Sequence, residues 1–277
     1  MSSKNLVKNI LKDITKQLNP VIPRAAREAQ LILMHALHVD ELWLLTNQSL
    51  HVEDTSEIFK ILQRRLKNEP LEYITNSVSF YSENFYIDEG ALIPRPETEL
   101  LIDEVLKRVK DKDTNKTFVE VGVGSGIISI ILARHFKNAK FIAVDISQDA
   151  LRVAGKNIKK FALEDKIELR HGSLLEAITE KIDYLVSNPP YIANDEKLES
   201  NLSYEPQNAL FGGEVGDEIV KQLLDEVLKR EINFFFCEFG YDQKGKISTY
   251  LKNNKQITSL EFYKDLSDFD RGFTLGL

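Results

Sequence analysis

From residue 117 to residue 237, short β-prone runs alternate with helical patterns, and nothing else in the chain limits its fold as much. The runs are 118–121, 140–144, 166–170, 184–187 and 232–237; helical patterns such as 127–135 and 147–161 lie between them. Strands joined through helices run parallel and carry helices on both faces, so the pattern predicts an α/β sheet that is mostly parallel. The carboxyl end differs. Residues 260–263 and 272–275 are strand-like, and the seven-residue link between them (265–271) is too short for a crossover helix. That predicts an antiparallel C-terminal strand.

The chain has 277 residues, which at roughly 150 per domain suggests about two domains. Ahead of the sheet, Leu6, Ile10, Leu11, Ile14 and Leu18 recur at helical spacing. Asn19-Pro20 and Pro23 break that pattern. A second apolar segment spans 24–38, and a short one contains Trp43. Asp54 with Glu57 resembles a capping box before Ile58. Residues 1–70 therefore read as a small helical domain that packs or docks something. Val78, Phe80, Phe85 and Ile87 flank Tyr81-Ser82-Glu83-Asn84 as in a β-hairpin, placing a connector at 71–94. Two prolines in Leu92-Ile93-Pro94-Arg95-Pro96 set an extended entry to a helix beginning near Glu97-Thr98-Glu99. The expected catalytic domain is 95–277.

Three motifs carry the chemistry. Glu120-Val121-Gly122-Val123-Gly124-Ser125-Gly126 ends the first strand of the sheet and opens a helix. Glycines there permit a tight turn and close approach of a ligand, though a ligand-free structural turn would use them too. Asp145 closes the second strand, 19 residues past Gly126. An acid at such a strand end accepts hydrogen bonds from ribose hydroxyls, and it is equally a helix cap. Asn188-Pro189-Pro190-Tyr191 follows the fourth strand, facing the same crevice as the glycine loop. Its prolines remove two backbone donors, leaving an amide side chain, free carbonyls and an aromatic face. Those acceptors suit a neutral NH2 group.

Glycine loop, strand-end Asp and Asn-Pro-Pro-Tyr together resemble an S-adenosylmethionine (SAM)-dependent amino-methyltransferase. Leu92 to Glu99 (Leu-Ile-Pro-Arg-Pro-Glu-Thr-Glu) narrows the likeness, as do Tyr204-Glu205-Pro206, Ala209-Leu210, Gly212-Gly213 and Gly216. The set is similar to the peptide-chain release factor glutamine N5-methyltransferases, the HemK/PrmC family, from about residue 69 to the end. The resemblance implies a Rossmann-like class I methyltransferase sheet with a small N-terminal helical domain that docks the substrate. It implies that Gly122, Val123, Gly124, Ser125 and Gly126 wrap SAM, with Glu120 beside its amino group. Asp145 would hold the ribose, and Ser173 and Leu174 would flank the adenine. Asn188, Pro189, Pro190 and Tyr191 would bind the substrate glutamine, Asn188 also lying near the cofactor. Ser173 stands where the family often has an acid. The Asn188 side-chain oxygen and the Pro189 carbonyl would each accept one N–H of the glutamine amide, with Tyr191 packed on its plane.

Composition separates the remaining readings. The alternative is a methyltransferase of DNA adenine N6 or of another nucleic-acid amino group, which can share the tetrapeptide. A third is a module that binds cofactor or release factor without catalysis. With 36 basic against 43 acidic side chains and a net charge of -7, the chain lacks the cationic surplus of a duplex-coating protein. That favours release factors as the partner over nucleic acid. One cysteine rules out a disulfide scaffold and Cys-based zinc sites, and Cys237, ending an apolar run, reads as core. His35, His38, His51, His135 and His171 are scattered, so no metal is expected. Lys107, Arg108, Lys110 and Lys112 read as a solvated helix end. No apolar run reaches the roughly 18 residues needed to span a bilayer, and no signal-peptide core is seen, so a cytoplasmic location is expected.

Overall fold

Val7, Ile10, Ile14 and Leu18 line one face of the first helix, α1 (Val7–Leu18), and are buried. The computed structural model describes residues 5–277, so residues 1–4 of the expected helical domain lie outside the described residues. After α1 come α2 (Ala25–Leu37), α3 (Glu41–Thr46), α4 (Ser56–Arg65) and α5 (Leu71–Thr75). Their apolar stripes meet in one core, with Ile32, Leu33, Ile58 and Leu62 at most 1% exposed. Arg65 clamps Glu28 across α4 and α2 with two hydrogen bonds, 2.5 and 3.1 Å. The expected capping box is not formed. Asp54 Oδ1 instead accepts from Ser56 N at 2.8 Å, a local Asx turn, and Thr55 stands at the cap.

This helical unit runs to Asn76 and also takes in Ser200–Tyr204. The Tyr204 hydroxyl donates to Lys67 O at 2.9 Å, and Asn68 Nδ2 to Ser200 Oγ at 3.1 Å. The second unit holds Ser77–Glu199 and Glu205–Leu277.

The second unit opens on a hairpin, β1 (Val78–Phe80) and β2 (Glu83–Phe85). Tyr81 and Ser82 at its turn both have positive φ, which matches the twist of the flanking strands. Helix α6 (Thr98–Arg108) follows the two prolines. Then β3 (Thr117–Val121), α7 (Ile127–His135), β4 (Lys140–Asp145), α8 (Gln148–Lys160), β5 (Ile167–His171) and β6 (Tyr184–Ser187) alternate. A small parallel pair, β7 (Ile192–Ala193) and β8 (Phe211–Gly213), interrupts the alternation. Helix α9 (Glu218–Val227), β9 (Phe234–Glu238), α10 (Lys244–Leu251), β10 (Ser259–Lys264) and β11 (Asp270–Gly276) complete the chain.

The seven-stranded sheet has the order β10-β11-β9-β6-β3-β4-β5. Only β11 runs against its neighbours, pairing antiparallel with β9 and β10. The architecture is the one expected, a mostly parallel α/β sheet with an antiparallel strand near its end. Central strands are buried on both faces, as all-parallel strands must be. The Phe118 ring packs within 4.9 Å of those of Phe136, Phe141 and Tyr184. Chain order reverses beside β3: β4 and β5 build outward on one side, β6 and β9 on the other. Ligands in such sheets bind at the carboxyl ends of the strands flanking this point.

Candidate active site

Glu120 sits in the buried middle of the sheet at 3% exposure. Its Oε2 accepts from Ser129 N at 2.9 Å and from the Ser129 hydroxyl, while Oε1 is buried with no hydrogen-bond partner. Burial pushes this carboxyl from the ordinary 4.5 up to about 8, against the lowering effect of Ser129. A buried acid with one open oxygen is costly unless a donor arrives, so the position calls for a cation or N–H group.

The glycine loop after β3 turns over Glu120. Gly122, Gly124 and Gly126 all have positive φ, and a Cβ at Gly126 would press on Ala154 of α8 at 3.3 Å. Gly124 N donates to Asp145 Oδ2 at 2.9 Å, and Asp145 Oδ1 accepts from Ser147 N. Asp145 therefore braces the loop, while the α8 cap is Ser147, which accepts from Ala150 N at 3.3 Å. Burial raises the Asp145 carboxyl, opposed by these backbone donors. Asn157, fully buried on α8, adds a second brace: its Nδ2 donates to Ser125 O and Tyr86 O, and its Oδ1 accepts from Tyr86 N.

Across the switch point, Asn188 to Tyr191 leave the end of β6. Asn188 Nδ2 donates to Thr98 Oγ1 at 3.0 Å. The Tyr191 hydroxyl lies 3.4 Å from Glu238 Oε1, and Gln243 Nε2 donates to Tyr191 O at 3.0 Å. The loop is held from outside by β8 and the segment after it. A Cβ at Gly216 would sit 2.5 Å from Tyr191 O, and one at Gly212 would sit 2.4 Å from Pro190 O. Arg95 pairs with Glu205 at 2.5 Å, and Glu205 also accepts from Ile93 N at 3.0 Å, joining the two motifs that flank this loop.

These elements enclose a cavity of about 320 Å³. Glu120, Gly122, Val123, Gly124, Ser125, Asp145, Ser173, Leu174, Asn188, Pro189 and Pro190 line it. Two expected residues do not. Gly126 is turned to α8, where its φ of +83 and the 3.3 Å approach of Ala154 both favour a glycine. Tyr191, expected to pack on a substrate amide, lies outside the cavity lining and directs its hydroxyl to Glu238. Thr98 and Pro206, quoted above only as parts of motifs, and Ile146, not singled out at all, also line the cavity. Ile146 is 60% exposed, an apolar side chain open beside the strand-end Asp.

Comparison with known proteins agrees with this architecture. Residues 96–210 match the methyltransferase small domain family, and residues 9–75 match the PrmC N-terminal domain. A release factor glutamine methyltransferase of Clostridium acetobutylicum is 34% identical, over 88% of this chain and 88% of that protein. One from Dictyoglomus turgidum is 38% identical, over 94% of each. The chain belongs to the release factor glutamine methyltransferase family. A solved N-terminal domain of human METTL16 shares the fold at TM-score 0.53 and 17% identity, over 84% of this chain and 86% of that one.

Three residues of this release factor glutamine methyltransferase family member escape sequence reading. Thr98 looks like any helix-start residue, Glu238 hides in an apolar strand, and Asn157 resembles a surface position of an amphipathic helix. Each is at most 2% exposed. The one signal available was a polar residue placed where its element's pattern demands an apolar one. Among the described residues no cluster of metal-ligating side chains occurs, and no helix is long and apolar enough to cross a membrane.

Proposed function

We propose that this chain transfers a methyl group from SAM to the side-chain nitrogen of the glutamine in the Gly-Gly-Gln loop of peptide-chain release factors, in the cytoplasm. The observation that carries this is one cavity lined at once by the glycine loop, Asp145 and the Asn188–Pro190 acceptors.

The residues fit the cofactor. Glu120 Oε1 is an acceptor without a donor, matching an ammonium group. Asp145 keeps lone pairs beyond its two backbone bonds for ribose hydroxyls. Ile146 and Leu174 offer apolar flanks for a base, and Ser173 an acceptor weaker than an acid. Bound there, SAM supplies a methyl group on positively charged sulfur.

A carboxamide nitrogen is a poor nucleophile, because its lone pair is delocalised. The chain's task is alignment and charge stabilisation. Asn188 Oδ1 and the Pro189 carbonyl would each accept one N–H of the glutamine amide, fixing the nitrogen's lone pair toward the methyl donor. As positive charge grows on that nitrogen, both acceptors hold it more tightly, so their contribution is greatest in the transition state. No base lies in the tetrapeptide, and the proton leaves to water after transfer. Tyr191 ties this loop to Glu238 through its hydroxyl.

The test supplies labelled SAM with a release factor, with its Gly-Gly-Gln→Gly-Gly-Ala variant, and with DNA. Label in the intact release factor alone is the expected result. Label in DNA would replace this reading with the nucleic-acid one, and label in neither would leave a binding module.

A further inference from the structure

A pair of carbonyl-type acceptors reads a primary amide and nothing more, and every exposed glutamine carries one. The acceptors at Asn188 and Pro189 therefore cannot tell one glutamine from another. Selection has to come from surface outside the cavity.

The carboxyl end of the sheet carries such a surface. β9 lies beside β6 and runs parallel to it, so the turn after β9 emerges at the same end as Asn188–Tyr191. β11 runs against β9, which brings the β10–β11 turn to that end as well. Tyr241 from the first turn and Phe269 from the second meet edge to face, ring centroids 5.7 Å apart, yet remain 61% and 49% exposed. Leu266, in the β10–β11 turn, is fully exposed. Apolar groups gathered in the open beside a cavity mark a surface that meets a partner.

The patch is fastened to the tetrapeptide and held firmly. Gln243, 2% exposed, accepts from Gly240 N at 3.2 Å and donates to Tyr191 O at 3.0 Å, so the turn carrying Tyr241 is tied to the substrate loop. The Arg271 guanidinium lies 5.8 Å from the Phe269 ring centre, and its Nε donates to Asp265 Oδ2 at 2.7 Å. Rings already held in place lose little freedom when a partner covers them.

Charge states the kind of partner. Every cation in segments 239–245 and 264–271 faces an acid: Lys244 pairs with Asp270 at 2.9 Å, Lys264 with Asp268 at 2.9 Å and Arg271 with Asp265 at 2.7 Å. Phosphates would find no unmatched cation in these turns. An apolar centre with a charge-balanced border suits a polypeptide.

We propose that Tyr241, Leu266 and Phe269 form a docking surface for the release factor's own polypeptide next to its Gly-Gly-Gln loop, where they receive an aliphatic or aromatic side chain. The inference rests on the methyl-transfer reading above and adds to it a surface of the catalytic unit that selects the substrate without touching the reacting atoms.

The test compares the full-length chain with the double variant Tyr241→Ala/Phe269→Ala and with Leu266→Asp. Labelled SAM is held saturating and the release factor is varied, with S-adenosylhomocysteine affinity measured alongside. The double variant is expected to raise KM for the release factor about 10- to 100-fold, the range for removing central aromatic contacts of an interface. Its kcat and its S-adenosylhomocysteine affinity should stay at wild-type values. Leu266→Asp puts a charge into the patch at a fully exposed side chain, so the fold is not at stake; its KM should rise about 3- to 10-fold. Wild-type KM in both variants overturns the proposal. A fall in kcat at unchanged KM also overturns it, since the turns would then only brace the loop. If the double variant fails to bind S-adenosylhomocysteine, Leu266→Asp decides by its KM. A wild type that labels DNA, with KM for DNA raised in the variants, overturns the polypeptide partner. A wild type that labels no release factor takes down the methyl-transfer reading and the docking surface together, whereas an active wild type with unaffected variants removes the docking surface alone.

Discussion

At Asn188, a single side chain bridges the substrate side of the cavity and the buried polar groups beneath it. Its oxygen is the only side-chain acceptor that the tetrapeptide brings to the cavity, so truncation leaves the Pro189 carbonyl to orient the glutamine alone. Asn188→Ala is expected to lower kcat by about 10²- to 10³-fold, the usual cost of deleting one preorganised transition-state partner. Affinity for S-adenosylhomocysteine should change far less, because the glycine loop, Glu120 and Asp145 remain intact. Labelled-methyl assays with calorimetric binding would read both. Turnover near wild type would remove the proposed role of the side chain. Asn188→Asp is a different experiment: it keeps an acceptor but puts a negative charge beside Thr98.

Among elements, the small β7–β8 pair matters more than its size suggests. It anchors the substrate loop through backbone-to-backbone approach, since Gly216 lies under Tyr191 with φ +86 and no room for a Cβ. Gly216→Ala is expected to cost about 1–3 kcal/mol of stability and to slow methyl transfer by shifting the loop. Gly245 in α10 makes the contrast: a Cβ there meets nothing within 4 Å, so Gly245→Ala should stabilise by about 0.5–1 kcal/mol with activity unchanged. Urea midpoints and kcat for the pair check both signs.

The same contrast explains what the sequence could tell. Strands and helices announce themselves because short apolar runs alternate with helical patterns over more than a hundred residues, and the motifs because glycines and prolines restrict the backbone locally. Ile192–Ala193 is too short to have a period, so β7 was not foreseen. Tyr191 was assigned to substrate from its motif, yet its partner Glu238 lies 47 residues away in sequence. Nothing local to either residue encodes that pairing. Asp54 and Glu57 have the spacing of a capping box, but Asp54 is satisfied by a turn one residue earlier than the helix needs.

For the molecule as a whole, two buried acids dominate the expected pH behaviour. Below about pH 4 the folded and unfolded chains both hold these protons. Between there and about 8, Glu120 keeps its proton only when folded, and Glu238 does so up to about 7. The folded state binds more protons across that window, so raising pH favours unfolding. Stability should fall from pH 5 to 8, by up to about 1.4 kcal/mol per pH unit for each proton. Asp88, held well below the ordinary carboxylate range by Arg152 and Tyr86 against the raising effect of burial, contributes a constant amount over this window. Glu120→Gln should flatten the decline in urea midpoint; an unchanged slope would show that Glu120 is ionised in the free protein. An ammonium-bearing ligand beside Glu120 should release a proton on binding, making its affinity rise with pH.

Cys237 gives the folded chain a built-in clock. It is the only thiol in the sequence, 0% exposed on β9 between β6 and β11, and burial raises its pKa well above that of a free thiol. An alkylating reagent can reach that sulfur only when the middle of the sheet parts. At high reagent concentration, one mass increment per molecule should accumulate at the rate of sheet opening, and at low concentration at a rate set by how often the sheet stands open. Ligands filling the cavity between β3, β4 and β6 should slow that accumulation, so cofactor occupancy can be timed from a residue that never touches the cofactor.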